Sequence, residues 1–130
     1  MYSIIIRDHM MIAHSLKSKA FGPAQNLHGA TYVVDAEFKT ETLDENSIVI
    51  DIDIATKVLQ KALDPLKYQN LDELEQFKNS LTTTEFLAKF VHDTISQGVR
   101  DTFSGTLKIT LGESHVAWAT YEALVKASGV

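Results

Sequence analysis

Two histidines in this sequence have the residue type and position to bind a metal ion. His14 ends one apolar run and His28 begins the next, so a hairpin of two strands would bring their imidazoles together. Neutral imidazole is a good zinc ligand, and a catalytic zinc usually has three protein ligands plus an open position. Residues two apart on a strand point the same way, but position 30 is alanine rather than a third histidine. The residues predict either two metal ligands or two histidines that make ordinary hydrogen bonds.

A second candidate for chemistry is Glu113, which follows an alternating run and precedes a turn that contains His115. A carboxylate at this place could accept two N–H donors from a heterocycle, or it could be a solvated turn residue. His92 lies in a helical run, where we expect a structural or surface role. The sequence contains no glycine loop for phosphate and no serine elbow.

The elements that must position these residues begin and end with strands. The run Tyr2–Leu16 is rich in isoleucine and methionine, and Thr31–Phe38 alternates polar and apolar residues with the period of two that a half-buried strand shows. A loop with Gly22 separates them. Near the other end, 106–111 alternates in the same way, and a turn leads to a last strand over 116–124.

Two helices are predicted between these pairs of strands. The first has apolar residues at helical spacing from Ala55 to Leu63, can be capped by Asp51 or Asp53, and ends before Pro65. The second begins where Thr82 and Glu85 have the spacing of a capping box, and Gly98 suits its end. We expect an α+β fold, β-β-α-α-β-β, with both helices on one face of an antiparallel four-stranded sheet. Its two edges favour assembly with other copies.

Composition limits the kinds of protein this can be. At 130 residues the chain suits a single domain over 1–130, and it contains no cysteine for disulfides or thiolate metal sites. The net charge of −5 argues against a partner that is nucleic acid or an anionic membrane. No apolar run approaches the roughly 20 residues of a membrane span, and the first residues do not have a signal-peptide pattern. We therefore expect a cytoplasmic location.

Several segments in this order resemble the 6-pyruvoyl-tetrahydropterin synthase and 6-carboxytetrahydropterin synthase family. They are His14, LHGATYVVDAEF at 27–38, NLDE at 70–73, TTTEFLA at 82–88, and Glu113 after the third strand. Each segment alone is a weak signal, whereas their order and spacing extend the resemblance over nearly the whole chain.

The resemblance implies the tunnelling fold, in which subunits join their sheets into a barrel and stack two rings, commonly as a homo-hexamer. It also implies active sites between subunits, where three histidines hold zinc and a glutamate anchors the pterin ring of a dihydroneopterin triphosphate substrate. By position, His14 and His28 match two zinc ligands, and Glu113 matches the pterin anchor. Thr83 and Thr84 lie where the family lines its pterin pocket.

This sequence departs from the family pattern at specific positions. Ala30 stands at the third zinc histidine, and Ala24 stands at the catalytic cysteine. Lys67 and Tyr68 replace the Asp-His pair that transfers protons. The position that anchors the substrate matches the family, whereas most positions that carry out proton transfer do not, and a positioned acid or base contributes about 10²–10⁴-fold to a rate.

Two functions are consistent with these residues. One is a lyase-type enzyme with altered catalytic residues, in which Tyr68 or His115 transfers protons and His115 or His9 completes a zinc site. The other is a non-catalytic member that binds a pterin or purine, or serves a structural role. An unrelated α+β domain with chance matches is a third possibility.

Overall fold

The computed structural model describes residues 1–125, which form one antiparallel sheet with two helices packed against the same face. In chain order the elements are β1 (Tyr2–His14), β2 (His28–Thr40), α1 (Ile52–Leu63), α2 (Thr84–Val99), β3 (Thr106–Ser114) and β4 (Ala117–Leu124). The strands lie in the order β1-β2-β3-β4, and each pair is antiparallel. The predicted fold class is confirmed, while the joining of sheets between subunits stays a prediction.

The β1–β2 hairpin is the longest pairing in the sheet. It runs without a break from Tyr2 opposite Thr40 to His14 opposite His28. The connection contains a 3₁₀ segment, Lys19–Gln25, at whose start the Ser18 side chain accepts from a backbone N–H. The sequence predicted only a loop here, because Gly22 and the proline after it indicate a turn without specifying short helical turns.

One face of the sheet forms the core with the helices, and period-two alternation selects its side chains. The apolar side chains that β1, β2 and β3 bury on this face are Met10, Ile12, Tyr32, Val34, Ala36, Phe38, Leu107, Ile109 and Leu111. The opposite face carries polar groups, including the ion pair of Arg7 with Asp35 at 2.7 Å. This alternation fixes which side chains of β1 and β2 face the helices.

Helix α1 begins and ends where the sequence predicted. Of the two candidate caps, Asp51 is the one used, because its carboxylate accepts the backbone N–H groups of Asp53 and Ile54. The helix ends at Leu63, two residues before Pro65. Its buried face packs beside β1 and against α2.

Helix α2 begins one residue later than the capping-box prediction. The cap is Thr83, whose side chain accepts the backbone N–H of Phe86 at 3.1 Å. Thr82, the predicted cap, is instead buried, and its hydroxyl lies 3.0 Å from Nδ1 of His14. Both threonines can cap a helix. Thr82 contacts His14 instead, and Thr83 is the cap.

The β3–β4 hairpin also differs slightly from the prediction. Glu113 lies within β3 rather than after it, at a shift of register between Gly112 and Ser114. Strand β4 starts at Ala117 instead of Val116. Among the described residues, no helix is long and apolar enough to cross a membrane.

Candidate functional site

The two histidines lie side by side at the end of the sheet where β1 finishes and β2 begins. His14 is directly opposite His28 in the ladder, and the centroids of the two rings are 4.6 Å apart in an edge-to-face arrangement. Their strand positions place both on the face of the sheet that carries the helices. The structure therefore brings together the two residues that the sequence predicted as metal ligands.

Hydrogen bonds orient both rings. Nδ1 of His28 lies 2.8 Å from the carbonyl oxygen of Asn26. Because a carbonyl can only accept, this nitrogen carries a proton, so Nε2 is the nitrogen of the neutral His28 ring that could bind a metal. His14 is held by the Thr82 hydroxyl, which can donate or accept.

The surroundings of His14 favour its neutral form. Burial lowers the pKa of His14, and the neighbouring His28 lowers it further. The carboxylates of Asp72 and Glu113 act in the opposite direction without reversing the shift. Neutral imidazole is the form that binds zinc, so both the geometry and the electrostatics suit His14 to that role.

The described residues supply two candidate metal ligands, His14 and His28, but no complete set of ligands. Ala30 lies opposite Ile12 on the same face as the histidines, so its methyl group occupies the place where a third ligand from β2 would be. His9 is five residues before His14, on the opposite face of β1, and cannot join the pair within one chain. Across residues 1–125, no three His, Cys, Asp or Glu side chains are grouped to hold a metal. The family's three-histidine zinc set does not fit this chain as it stands.

Glu113 lines a surface cavity of about 300 Å³ between the start of α2 and strand β4. Thr84 and Trp118 also line it. No hydrogen bond or ion pair among residues 1–125 uses the Glu113 carboxylate, which leaves both of its oxygens able to accept N–H donors. The cavity and the carboxylate together can hold the polar edge of a small flat molecule.

Tyr32 is a buried core residue whose pKa responds to residues that line this cavity. Burial raises the pKa of Tyr32, and the carboxylates of Glu113 and Glu85 raise it further, although the Thr84 hydroxyl partly offsets this effect. The buried Tyr32 hydroxyl has no partner of hydrogen-bond geometry among the described residues.

The predicted threonine pair divides between two roles. Thr83 caps α2 through its hydroxyl, whereas Thr84 lines the cavity beside Glu113. Thr84 is therefore placed for contact with a ligand, and Thr83 for holding the helix end that carries it.

Lys67 and Tyr68 lie on a segment that runs along the edge of β1. The Lys67 ammonium is 3.0 Å from Asp8, and this hydrogen bond raises the pKa of Lys67, which keeps it charged and unsuited to act as a base. Tyr68 has a positive φ of 61° and is 81% exposed, while its backbone N–H donates to the Met11 carbonyl. Its side chain is exposed to solvent.

His115 lies exposed in the turn between β3 and β4, and Ala24 lies in the 3₁₀ segment. Neither joins the two histidines in a group of ligands among the described residues. Roles for His115 in catalysis or metal binding remain proposals.

Two further residues at the site were missed by sequence reasoning. Thr82 contacts His14, and Asp72 accepts from the backbone N–H and the hydroxyl of Ser15, at 3.2 and 2.5 Å. These bonds hold the His14 ring and the residue that follows it. Asp72 lies in the NLDE segment, which was the only signal for it, and Thr82 was interpreted as a helix cap.

A four-stranded antiparallel sheet with two helices on one face is the architecture of a tunnelling-fold domain. Residues 3–124 match the family described as 6-pyruvoyl tetrahydropterin synthase. The chain belongs to this family, whose members are lyase-type pterin synthases.

Characterised relatives agree with this assignment. The chain is 23% identical to 6-carboxy-5,6,7,8-tetrahydropterin synthase of Bacillus subtilis (strain 168) over 117 residues, which are 87% of this chain and 80% of the relative. It is 28% identical to 6-pyruvoyl tetrahydrobiopterin synthase of Dictyostelium discoideum over 85 residues, 64% of this chain and 63% of the relative.

Solved structures support the fold. The 6-pyruvoyl tetrahydropterin synthase of Caenorhabditis elegans superposes with a TM-score of 0.82 at 24% identity, covering 94% of this chain and 95% of that one. The Plasmodium falciparum enzyme of the same name gives 0.77 at 14% identity, covering 95% and 98%. At these identities the likeness establishes the fold alone.

Proposed function

We propose that this protein acts on a pterin of the dihydroneopterin triphosphate type, as a lyase-type pterin synthase with altered catalytic residues. The observation that carries the proposal is the Glu113 carboxylate, which lines a cavity, has no hydrogen-bond partner among the described residues, and acts electrostatically on His14. Membership of the family supplies the class of substrate. The site between two subunits would be formed in a homo-oligomer.

Glu113 holds the ring in this proposal. The 2-amino group and the adjacent ring N–H of a pterin form two parallel donors, which match the two oxygens of a carboxylate. Hydrogen bonds to a charged group contribute about 1.5–3 kcal/mol. Glu113→Gln would replace one acceptor with a donor and weaken pterin binding by about tenfold or more.

Proton transfer is the altered part of the chemistry. Lys67 is engaged with Asp8, so Tyr68 and His115 are the remaining candidates for the acid and base roles. Both are exposed within one chain, and a neighbouring subunit that covered them would provide the burial that changes a pKa.

Zinc is proposed only as an ion that His14, His28 and a third group bind together. One chain does not supply that third group. If bound there, zinc would polarise an oxygen of the substrate beside the ring. The roles assigned to Glu113, Tyr68 and His115 do not depend on it.

A non-catalytic pterin-binding or purine-binding protein is the second candidate. The observation that favours it is Ala30, which stands at the position of the third zinc histidine and cannot bind a metal. Ala30 does not line the Glu113 cavity. In this case binding would depend on Glu113 and would be nearly independent of His14.

Phosphorus NMR of the protein with dihydroneopterin triphosphate tests the choice, with Glu113→Gln and His14→Gln as variants. Release of inorganic tripolyphosphate by the wild type, and its loss in both variants, is the expected result. Binding without release would support the second candidate. An absence of both binding and release would contradict the proposed function altogether.

A further inference from the structure

A second surface cavity, of about 210 Å³, lies between the chain that leaves β1 and the segment that leads into α2. Lys17, Lys78 and the Ser80 hydroxyl line it, and Asp72 is its one carboxylate. We call it the lysine cavity. The functions considered so far assign it no ligand.

Lys78 is presented to this cavity by a tight turn. The backbone N–H of Ser80 donates to the Phe77 carbonyl at 3.1 Å, Lys78 has φ −57° and ψ 134°, and Asn79 has a positive φ of 66°. These are the features of a type II turn, in which asparagine tolerates the left-handed position. No hydrogen bond or ion pair among residues 1–125 uses the Lys78 ammonium, so its three N–H donors are open to a ligand.

The remaining charges leave the lining positive. The Lys17 ammonium donates to the Gln25 carbonyl at 3.1 Å and keeps two further N–H donors. The Asp72 oxygens already accept from the backbone N–H and the hydroxyl of Ser15. Two ammonium groups and one occupied carboxylate form a positive patch on a chain of net charge −5, and such a patch attracts an anion.

The lysine cavity borders the histidine pair. Ser15, which lines it, follows His14 directly, and the carboxylates of Asp72 and Glu113 both oppose the lowering of the His14 pKa by burial. His14 is therefore near one lining carboxylate of each cavity. The Glu113 cavity is lined by Glu85 and Glu113 and by no basic residue, so it would repel a phosphate chain. A ligand that carries both a pterin ring and phosphates needs a separate basic subsite.

We propose that the lysine cavity binds the phosphate chain of the ligand whose ring Glu113 holds. This inference rests on the proposed function and adds a subsite for its substrate. The ligand class is a polyphosphate ester, and free tripolyphosphate has the same recognition chemistry.

Titration calorimetry with inorganic tripolyphosphate tests the proposal on the full chain, using Lys78→Gln, Lys17→Gln and the control Lys57→Gln. An exposed ammonium that donates to a phosphate contributes about five- to tenfold in affinity. We expect that loss in Lys78→Gln, a smaller loss in Lys17→Gln, because Lys17 shares its donors with Gln25, and none in Lys57→Gln. The control removes the same charge from α1, where Lys57 is exposed and paired with Asp53.

Dihydroneopterin triphosphate distinguishes the ester from the free anion. Its affinity should fall in Lys78→Gln by the same factor as that of tripolyphosphate. Wild-type affinity of Lys78→Gln for the ester would show that the cavity holds only a free anion, and would overturn the subsite.

Pterin without phosphate separates this inference from the proposed function. It should bind the wild type, Lys78→Gln and Lys17→Gln equally, and its loss in the variants would show that the lysines act through the fold, which overturns the subsite. A wild type that binds pterin but no tripolyphosphate would also overturn the subsite while leaving the proposed function intact. A wild type that binds neither compound would contradict both.

Discussion

Ala30 is the residue that most limits chemistry at the histidine pair. It shares a face of β2 with His28, and Thr31 beside it points to the other face. We predict that Ala30→His creates a three-histidine site that binds zinc at least tenfold more tightly than the wild type. Competition with a chromogenic chelator measures the affinity.

Thr31→His is the matched control, because it adds the same side chain one residue away on the opposite face. It should leave zinc affinity at the wild-type level. Equal affinities for Ala30→His and the wild type would contradict the geometry assigned to the pair.

The lowered pKa of His14 predicts how stability depends on pH. The unfolded chain takes up a proton on this histidine near pH 6.5, whereas the folded chain resists it until the pH is lower. The free energy of unfolding should therefore fall as the pH drops below about 6.5, with His14 contributing at most about 1.4 kcal/mol per pH unit. Urea denaturation of metal-free protein between pH 7.5 and about 5 measures this.

His14→Gln should show a shallower dependence on pH over the same range, because it retains His28 and removes only the buried ring. A wild type and variant with parallel curves would count against a depressed pKa for His14.

The residue-scale predictions from sequence succeeded where spacing along a strand decides the outcome. His14 and His28 were placed together because a hairpin pairs the end of one strand with the start of the next. Thr82 was missed because its partner, His14, is 68 positions away in the chain. Asp72 was missed because its partner, Ser15, is 57 positions away. No local pattern encodes such contacts.

At the scale of elements, the start of α2 is held by one hydroxyl. We predict that Thr83→Ala lowers the free energy of unfolding by about 1 kcal/mol, since the backbone N–H of Phe86 loses its acceptor. Chemical denaturation measures the change. Thr83→Ser keeps the acceptor and should remain near the wild type, and an alanine variant of unchanged stability would show that Thr83 is not the cap.

Sequence patterns located all four strands and both helices but not every boundary. Three consecutive threonines, 82–84, each suit the start of a helix, and only the tertiary contact of Thr82 with His14 determines which one caps it. The register shift near Gly112 was missed for a similar reason, since it depends on the pairing of β3 with β4.

At the scale of the whole molecule, strands β1 and β4 form the two edges of the sheet. On β4, Leu124 is 68% exposed. Open edges with exposed apolar residues favour pairing between copies. We predict that the protein sediments as a homo-oligomer, consistent with the hexamer that the family resemblance implies.

Leu124→Lys should weaken this assembly by placing a charge at the sheet edge, while Ile52→Lys, a similar change on a helix, should leave it intact. Sedimentation equilibrium distinguishes the two. A wild type that remains monomeric at micromolar concentration would contradict assembly through the strand edges.

The fold could be predicted from the order of strands and helices, because periodicity and caps are local properties. The candidate site residues His14, His28 and Glu113 could be singled out by residue type and strand position, and the family motifs mark the same three. Whether a neighbouring subunit supplies a zinc ligand or covers Tyr68 depends on contacts between chains. No pattern within one chain specifies those contacts.

A crystal structure of the wild type with bound pterin tests the central claim most directly. We expect the ring in the cavity beside α2, with its 2-amino edge on the Glu113 carboxylate. A pterin bound elsewhere, or a cavity that stays empty at saturating pterin, would contradict the claim that Glu113 anchors the substrate.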